Sequence, residues 1–233
     1  MLAVTMLVKD RPRLAEQALR TLRENTSVPW NLVIVDDASG PETVSVLDHF
    51  MDEQQHRAVC VSVAEGDAPH GSVGALRNYA ALEAAGRGDW LYLSDNDVAF
   101  EPGWVEVLLE ARRLFPAFKV LGGYNHPYNQ PFAFTYPFEF AGKTYTIGEC
   151  NAVGTASWLL DWPTWDAFGP FAENGRGPND SSDWAFCQRV RAAGYKCGVV
   201  LPMVVRNCGR TSSDGKLCPG ADLIADMPGL VVE

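Results

Sequence analysis

The sequence lacks any uninterrupted apolar run of 18 residues, so no segment is long enough to cross a membrane as a helix. Its first residues, MLAVTMLVKD, also lack the basic region and the small-residue cleavage site of a signal peptide, and they favour a first β-strand instead. We therefore expect a cytoplasmic protein without a membrane span.

Positive charge is scarce, because 19 Lys and Arg residues stand against 29 Asp and Glu residues and give a net charge of −10. This balance disfavours a broad, nonspecific grip on nucleic acid, which depends on cations that face phosphates. A local basic groove remains compatible with the composition. Hydrophobic residues at 47% and charged residues at 21% are typical of a globular protein, and 233 residues suffice for a sizeable core.

Closely spaced cysteine pairs are also missing. The six cysteines, at positions 60, 150, 187, 197, 208 and 218, include no C-x-x-C pair. A structural zinc site usually contains at least one such pair, so the spacing favours free thiols in a reducing compartment.

The first half of the chain alternates strand and helix patterns. Short apolar runs that suit buried strands lie at 2–8, 31–37, 58–66 and 90–97, with amphipathic segments between them and after the last. The last of these segments is predicted as a helix over 101–115, opened by Pro102. Such alternation predicts an α/β fold with a parallel sheet covered by helices on both faces.

The second half has a different character. Residues 120–160 are rich in aromatics, proline and glycine, a composition that favours hairpins and loops. A helix over 181–195 with Asp183 in its first turn, a final strand over 196–205 and an irregular tail are predicted after it. Because no linker-like segment interrupts the chain, we expect a single domain over residues 1–233.

Two groups of acids follow predicted strands. Asp36-Asp37 ends the second strand, and Asp95-Asn96-Asp97 ends the fourth. Ligands of parallel sheets bind beyond the carboxyl ends of the strands, so these acids are expected to face one crevice. Buried carboxylates need a cation or hydrogen-bond donors, and a divalent ion held by one or two of them would also chelate phosphates. A helix N-cap is the alternative for Asp95 and Asp97.

Five segments, in order, resemble the GT-A fold glycosyltransferases, and most closely the inverting enzymes of family 2. The resemblance covers roughly residues 3–212 and rests on LVKDRPRLAEQALRTL, VIVDDASG, GALRNYAALEAAGRGDWLYLSDND, NAVGTASWLLDWPTWDAFGPF and SSDWAFCQRVRAAGY. It implies a Rossmann-like, mostly parallel sheet flanked by helices, with a smaller irregular or antiparallel region on the acceptor side. Residues 1–110 would form the half that binds the nucleotide sugar, and 111–233 the half that binds the acceptor and carries the catalytic base.

The resemblance also implies roles for residues that bind the donor. Asp37 would accept a hydrogen bond from the nucleotide base, in a pocket lined by Leu7, Lys9 and Arg11. Arg77 would reach the nucleotide or its phosphates.

A divalent metal, Mn²⁺ or Mg²⁺, is implied in the same way. Asp97 would bind it, and Asp95 would contact the ribose or a metal-bound water. Where many GT-A enzymes supply a late histidine, this chain has Asn207-Cys208-Gly209. Either Asn207 or a water would fill that position, or metal binding would be weak. His70 and His126 are interpreted as surface or loop residues.

On the acceptor side, the resemblance makes Asp183 the general base that takes the proton of the acceptor hydroxyl. A helix cap is the alternative for Asp183, and Asp180 is a rival base if the register is shifted. Trp158 and Trp184 are candidate acceptor contacts, because flat aromatic faces suit sugar rings, although core packing is the commoner use of tryptophan.

The predicted function is transfer of a sugar from a nucleotide-diphosphate sugar, with a UDP-sugar favoured, to an acceptor hydroxyl, with inversion and a divalent metal. A retaining enzyme and a phage-type enzyme acting on hydroxymethylated DNA bases are the alternatives. A nucleotidyltransferase and an inactive nucleotide-sugar-binding module are disfavoured. The acceptor stays open among saccharides, proteins, small molecules and modified bases.

Overall fold

The computed structural model describes residues 1–64, 72–124, 132–173 and 182–209. Their strands are β1 Leu2–Val8, β2 Trp30–Asp37, β3 Ala58–Val63, β4 Trp90–Asp95, β5 Val98–Phe100, β6 Phe118–Gly122, β7 Thr135–Phe140, β8 Lys143–Cys150, β9 Ser157–Asp161, β10 Lys196–Leu201 and β11 Val205–Asn207. Their helices are α1 Pro12–Asn25, α2 Pro41–Gln54, α3 Val73–Ala84, α4 Trp104–Leu114, α5 Trp162–Phe168 and α6 Ser182–Ala192.

The first half contains the expected parallel sheet, in the order β3-β2-β1-β4. β1 lies at its centre and pairs in parallel with β2 and with β4. In this register Leu7 stands beside both Val35 and Asp95, and Val8 stands beside Asp36. The acids that end β2 and β4 therefore flank the end of β1 at the same edge of the sheet.

Helices cover both faces of the sheet, as the sequence predicts. Alternate residues of β1 point to opposite faces, so Met6 packs in the cluster formed with α1, α2 and α4, whereas Leu7 packs in the cluster with α3 and α6. Burial on both faces explains why these strands are continuous apolar runs.

The second half extends the same sheet, in the order β4-β9-β6-β10-β8-β7. β9 is antiparallel to both β4 and β6, β10 is parallel to β6, and β8 and β7 are antiparallel. Residues 120–160 thus include the expected hairpin, β7–β8, but also the buried strand β9, which the sequence prediction of hairpins and loops missed.

Several predicted boundaries are wrong, and two of them have a clear local cause. The helix predicted from residue 101 begins at Trp104, because Gly103 has a left-handed backbone conformation, with φ of 77°, at the N-cap. The strand predicted over 196–205 ends at Leu201, where Pro202 cannot donate to the ladder. The chain then forms β11, which pairs antiparallel with β5. This pairing brings the chain back to the acids that follow β4.

The cysteines and helices of the described ranges add two observations. The five described cysteines carry free thiols, and four of them are buried. Within the same ranges, no helix combines the length and the apolar character required to cross a bilayer.

Candidate functional site

Three connections meet at the carboxyl ends of β1, β2 and β4. They are the loop from β1 to α1, the loop from β2 to α2, and the turn Asn96-Asp97 between β4 and β5. Asp36 and Asp37 are buried at the end of β2, and Leu7 is buried between the strands. The structure therefore brings together the residues that were predicted to bind the donor and the metal.

The loop from β1 to α1 is strained and held from two sides. Asp10 and Arg11 have left-handed backbone conformations, with φ of 53° and 58°. The Asp10 N–H donates to Ser39 Oγ at 2.8 Å, and Asp10 Oδ1 accepts from the Gly40 N–H at 2.8 Å. From the other side, Asn96 Nδ2 donates to the Asp10 carbonyl at 2.8 Å. Such strain persists only where surrounding contacts fix the backbone, as they do here.

Asp10 and Asn96 are framework residues that the sequence prediction missed. The position of Asn96 between two acids was the available signal, since an amide there can donate where a third carboxylate could not. Its hydrogen bond links the turn that carries Asp97 to the loop that carries Arg11.

Lys9 supports the end of β2. Its ammonium donates to the carbonyls of Asp37 and Ala38, at 2.6 and 2.8 Å. Ala38 also has a left-handed conformation, with φ of 53°. Lys9 therefore fixes the backbone that presents Asp37, which is the residue expected to contact the base.

Arg77 lies behind Asp95 and has no exposed surface. Its guanidinium donates to the Ser94 carbonyl at 2.6 Å, to the Thr155 carbonyl at 3.1 Å and to Asp95 Oδ1. The Asp95 side chain is about a third exposed, at 35%. Arg77 thus orients the Asp95 carboxylate, and its expected contact with the nucleotide stays a prediction.

Asp97 is enclosed by two segments, the loop from β1 to α1 and the chain after β11. Its Oδ2 accepts from Arg11 Nη1 at 2.8 Å, and its carbonyl accepts from the Cys208 N–H at 2.6 Å. Gly209 approaches so closely that a Cβ there would lie 2.2 Å from Asp97 Oδ2. Burial, and then the charge of Asp95, raise the pKa of Asp97 to about 6, although Arg11 lowers it.

The remaining oxygen of Asp97 fits a divalent metal. Oδ1 is buried and has no hydrogen-bond partner among the described residues. Mg²⁺ and similar ions are commonly held by one or two carboxylates together with substrate phosphates. Asp97 and the partly exposed Asp95 offer that donor set, whereas the described part of the chain gathers no group of three or more His, Cys, Asp or Glu residues around a metal position.

Asn207 does lie near Asp97, at the end of β11 opposite Val98. Its amide oxygen accepts from the Gly209 N–H at 2.9 Å, so it holds the turn that follows β11. The segment in place of the late histidine thus shapes the wall beside Asp97.

The buried Asp97 gives stability a pH dependence in the metal-free protein. An unfolded aspartate titrates near pH 4, so between pH 4 and 6 the folded state binds more protons, and the free energy of unfolding falls as pH rises. Two pKa units correspond to about 2–3 kcal/mol, fully lost above pH 6. We expect Asp97→Asn to gain this amount relative to wild type between about pH 4.5 and 7.5, measured by urea unfolding in EDTA. If the difference in the free energy of unfolding between Asp97→Asn and wild type stays constant across this pH range, the raised pKa of Asp97 is contradicted.

Asp183 lies in the first turn of α6, and its Oδ1 accepts from the Trp184 N–H at 2.8 Å. The helix packs against the sheet through Phe186, Cys187 and Val190, on the face that α3 also covers. The indole N–H of Trp184 is buried and has no partner within the described ranges. Trp184 and Asp183 thus remain side by side as candidates on the acceptor side.

Trp158 is a core residue. It is fully buried in β9, its indole N–H donates to the Val153 carbonyl at 2.9 Å, and its ring packs against Phe171 and Phe186. This burial leaves no surface for an acceptor, so the expected contact is not retained for Trp158. Asp180, His70 and His126 lie outside the described residues.

Three features together define a GT-A type of transferase fold. They are the parallel sheet β3-β2-β1-β4, the antiparallel strand β9 beside β4, and the acid pair at the end of β4. The family model for glycosyl transferase family 2 matches residues 4–126, which is more than half of the chain. The chain belongs to glycosyl transferase family 2.

Solved structures have the same fold at low sequence identity. A mannosyltransferase from Pyrobaculum calidifontis, PcManGT, in complex with GDP-Man and Mn²⁺ matches with a TM-score of 0.58 and 16% identity, over 85% of this chain and 56% of that chain. Residues 1–349 of S. aureus TarS match with a TM-score of 0.60 and 15% identity, over 85% and 57%. The same TarS fragment in complex with UDP-GlcNAc matches with a TM-score of 0.56 and 14% identity, over 85% and 55%.

This chain thus spans somewhat more than half the length of these matched chains, and 34% of a longer TarS chain that it also matches. A search among curated proteins finds no significant match.

Proposed function

We propose that this protein transfers a sugar from a nucleotide-diphosphate sugar to an acceptor hydroxyl, with inversion at the anomeric carbon and with a divalent metal. The observation that carries the proposal is Asp97, which presents a buried, unpartnered carboxylate oxygen at the strand ends of a family 2 chain. The matched structures with GDP-Man and Mn²⁺ and with UDP-GlcNAc support the donor class. We favour a UDP-sugar and keep a GDP-sugar as the second donor.

On the donor side, Asp37 is proposed to accept from the base, while Lys9 fixes the backbone that presents it. Asp95, oriented by Arg77, is proposed to contact the ribose or to join Asp97 in holding Mn²⁺ or Mg²⁺. A divalent ion held there would neutralise charge on the leaving diphosphate. Residues 1–110 would thus bind the donor, and 111–233 would supply the acceptor site.

On the acceptor side, Asp183 is proposed to take the proton from the acceptor hydroxyl as its oxygen attacks the anomeric carbon. Its Oδ1 is already engaged by the Trp184 N–H, which leaves Oδ2 for the proton. Trp184 is proposed to contact the acceptor beside it.

The proposal is tested by calorimetric titration of the protein with UDP, GDP, CDP and TDP, each with and without Mn²⁺. We expect one nucleotide to bind, and to bind more tightly with the metal. The sugars of that nucleotide are then offered with saccharide, peptide, small-molecule and hydroxymethylated DNA acceptors, and the anomeric configuration of the product is measured by NMR. If none of the four nucleotides binds in the presence of Mn²⁺, the proposal is wrong; retention of configuration would overturn inversion alone.

A further inference from the structure

Arg11 occupies the cation position beside the proposed metal ligand. Its guanidinium lies 2.8 Å from Asp97 Oδ2, and the two side chains are only 19% and 15% exposed. The resemblance to the family placed Arg11 in the base pocket, but in the structure its guanidinium donates to Asp97. A positive charge thus already compensates the carboxylate to which a metal would bind.

The contact is built into the backbone. Arg11 has φ of 58°, and the preceding residue is held by Ser39, Gly40 and Asn96. On the other side, a Cβ at Gly209 would lie 2.9 Å from Arg11 Nη1 as well as 2.2 Å from Asp97 Oδ2. The ion pair therefore fills the space between the β1–α1 loop and the chain after β11.

Two cations at one partly buried carboxylate repel each other. In surroundings of low dielectric, Coulomb repulsion from the guanidinium opposes the binding of a divalent ion a few ångströms away. The repulsion falls if the guanidinium moves away from Asp97, or if an anion arrives with the metal. A nucleotide diphosphate would be such an anion.

We propose that Arg11 and the divalent metal compete for Asp97, so that the metal binds only when the guanidinium leaves Oδ2. This inference rests on the metal dependence in the proposed function and deepens it. Arg11 then keeps the site weak for free metal ions and makes tight metal binding conditional on the diphosphate. By linkage, the factor by which the diphosphate strengthens metal binding equals the factor by which the metal strengthens diphosphate binding.

The test measures Mn²⁺ binding directly, from loss of the electron paramagnetic resonance signal of the free ion, with and without UDP and GDP. Arg11→Met keeps the length of the side chain and removes its charge. Arg20→Met is the matched control, because it removes the same charge from a residue of α1 whose guanidinium pairs with exposed Glu24. Arg11→Lys retains the charge.

Without nucleotide, we expect Arg11→Met to bind Mn²⁺ about tenfold or more tightly than wild type. We expect Arg20→Met and Arg11→Lys to stay within about threefold of wild type, because each leaves the charge at Asp97 in place. Unchanged or weaker Mn²⁺ binding by Arg11→Met, with wild type still binding Mn²⁺ and nucleotide together, overturns the competition and leaves the proposed function standing. Absence of Mn²⁺ binding in every protein, with or without nucleotide, overturns both.

A second measurement uses the wild-type protein and so does not depend on the folding of a variant. In arginine-labelled protein, the guanidinium NMR signals of Arg11 should shift when Mg²⁺ and the binding nucleotide are added together, because the ion pair with Asp97 is broken. Signals that stay unchanged while Mg²⁺ is shown to bind would overturn the proposal.

Discussion

Asp97→Asn is expected to abolish metal-dependent nucleotide binding and to lower the rate of sugar transfer about 10²- to 10³-fold, the loss that follows from several kcal/mol of charge stabilisation. The amide would keep its oxygen towards Arg11, which donates to Oδ2 in the native protein. Its NH₂ group would then take the place of the unpartnered Oδ1. A donor cannot coordinate a metal ion, so the ligand is lost while the shape of the side chain is kept.

Calorimetry and initial rates, with Mn²⁺ and the nucleotide or nucleotide sugar that binds wild type, measure the effect. Asp89→Asn is the control, because it makes the same change of charge at the opposite end of β4, in a side chain that is 79% exposed. Its pair with the N-terminal ammonium lies on the surface, where ion pairs contribute little. If Asp97→Asn still binds the nucleotide in a metal-dependent way, the metal must be held by residues other than Asp97.

Asp183→Asn is expected to lower kcat about 10²- to 10⁴-fold, the contribution of a positioned general base. Metal-dependent nucleotide binding should stay as in wild type, because Asp183 is assigned to the acceptor side. The amide oxygen can still accept from the Trp184 N–H, so the first turn of α6 keeps its hydrogen bond. The variant therefore separates proton transfer from capping.

The control is Asp166→Asn, which changes an exposed acid of the neighbouring helix α5. Both variants are measured by thermal unfolding as well as by kcat, with equal unfolding temperatures expected. A rate for Asp183→Asn within about tenfold of wild type, well short of the usual contribution of a base, would reduce Asp183 to a helix cap. Asp180→Asn would then be measured in its place.

The parallel half of the fold was predictable from sequence for a physical reason. Strands buried on both faces appear as continuous apolar runs, and β1, β2 and β4 are of this kind. Parallel pairing then brings their carboxyl ends to one edge, which is why the acids of two distant segments could be expected in one crevice.

The second half was less predictable, because its strands are short and their pairing is not local. β9 has five residues and lies between β4 and β6 in the sheet, although both of these strands are distant from it in sequence. No periodicity within SWLLD indicates that it enters the middle of a sheet. The pairing of β11 with β5 depends in the same way on a contact between residues about 105 positions apart.

The directions of the side chains in the site could not be predicted from the sequence either. Arg77 was expected at the nucleotide or its phosphates and Arg11 in the base pocket, yet each donates to a carboxylate of the Asp95-Asn96-Asp97 turn. The burial of Arg77 follows from the packing of α3 on the sheet, and the direction of Arg11 from a left-handed backbone that no residue of the loop requires by its type. Trp158 differs, since the rule that tryptophans mostly pack in cores already favoured its observed place.

The close approach of Gly209 to Asp97 limits which substitutions this sequence can accept during evolution. Every other residue type carries a Cβ, and at this position that atom would overlap the carboxylate and crowd the guanidinium that faces it. A substitution of Gly209 therefore forces Asp97 or Arg11 to move from its place, so it is tolerated more easily once one of these two residues has changed. Among descendants that keep both charged residues, glycine at 209 should persist although it is assigned no contact with a substrate.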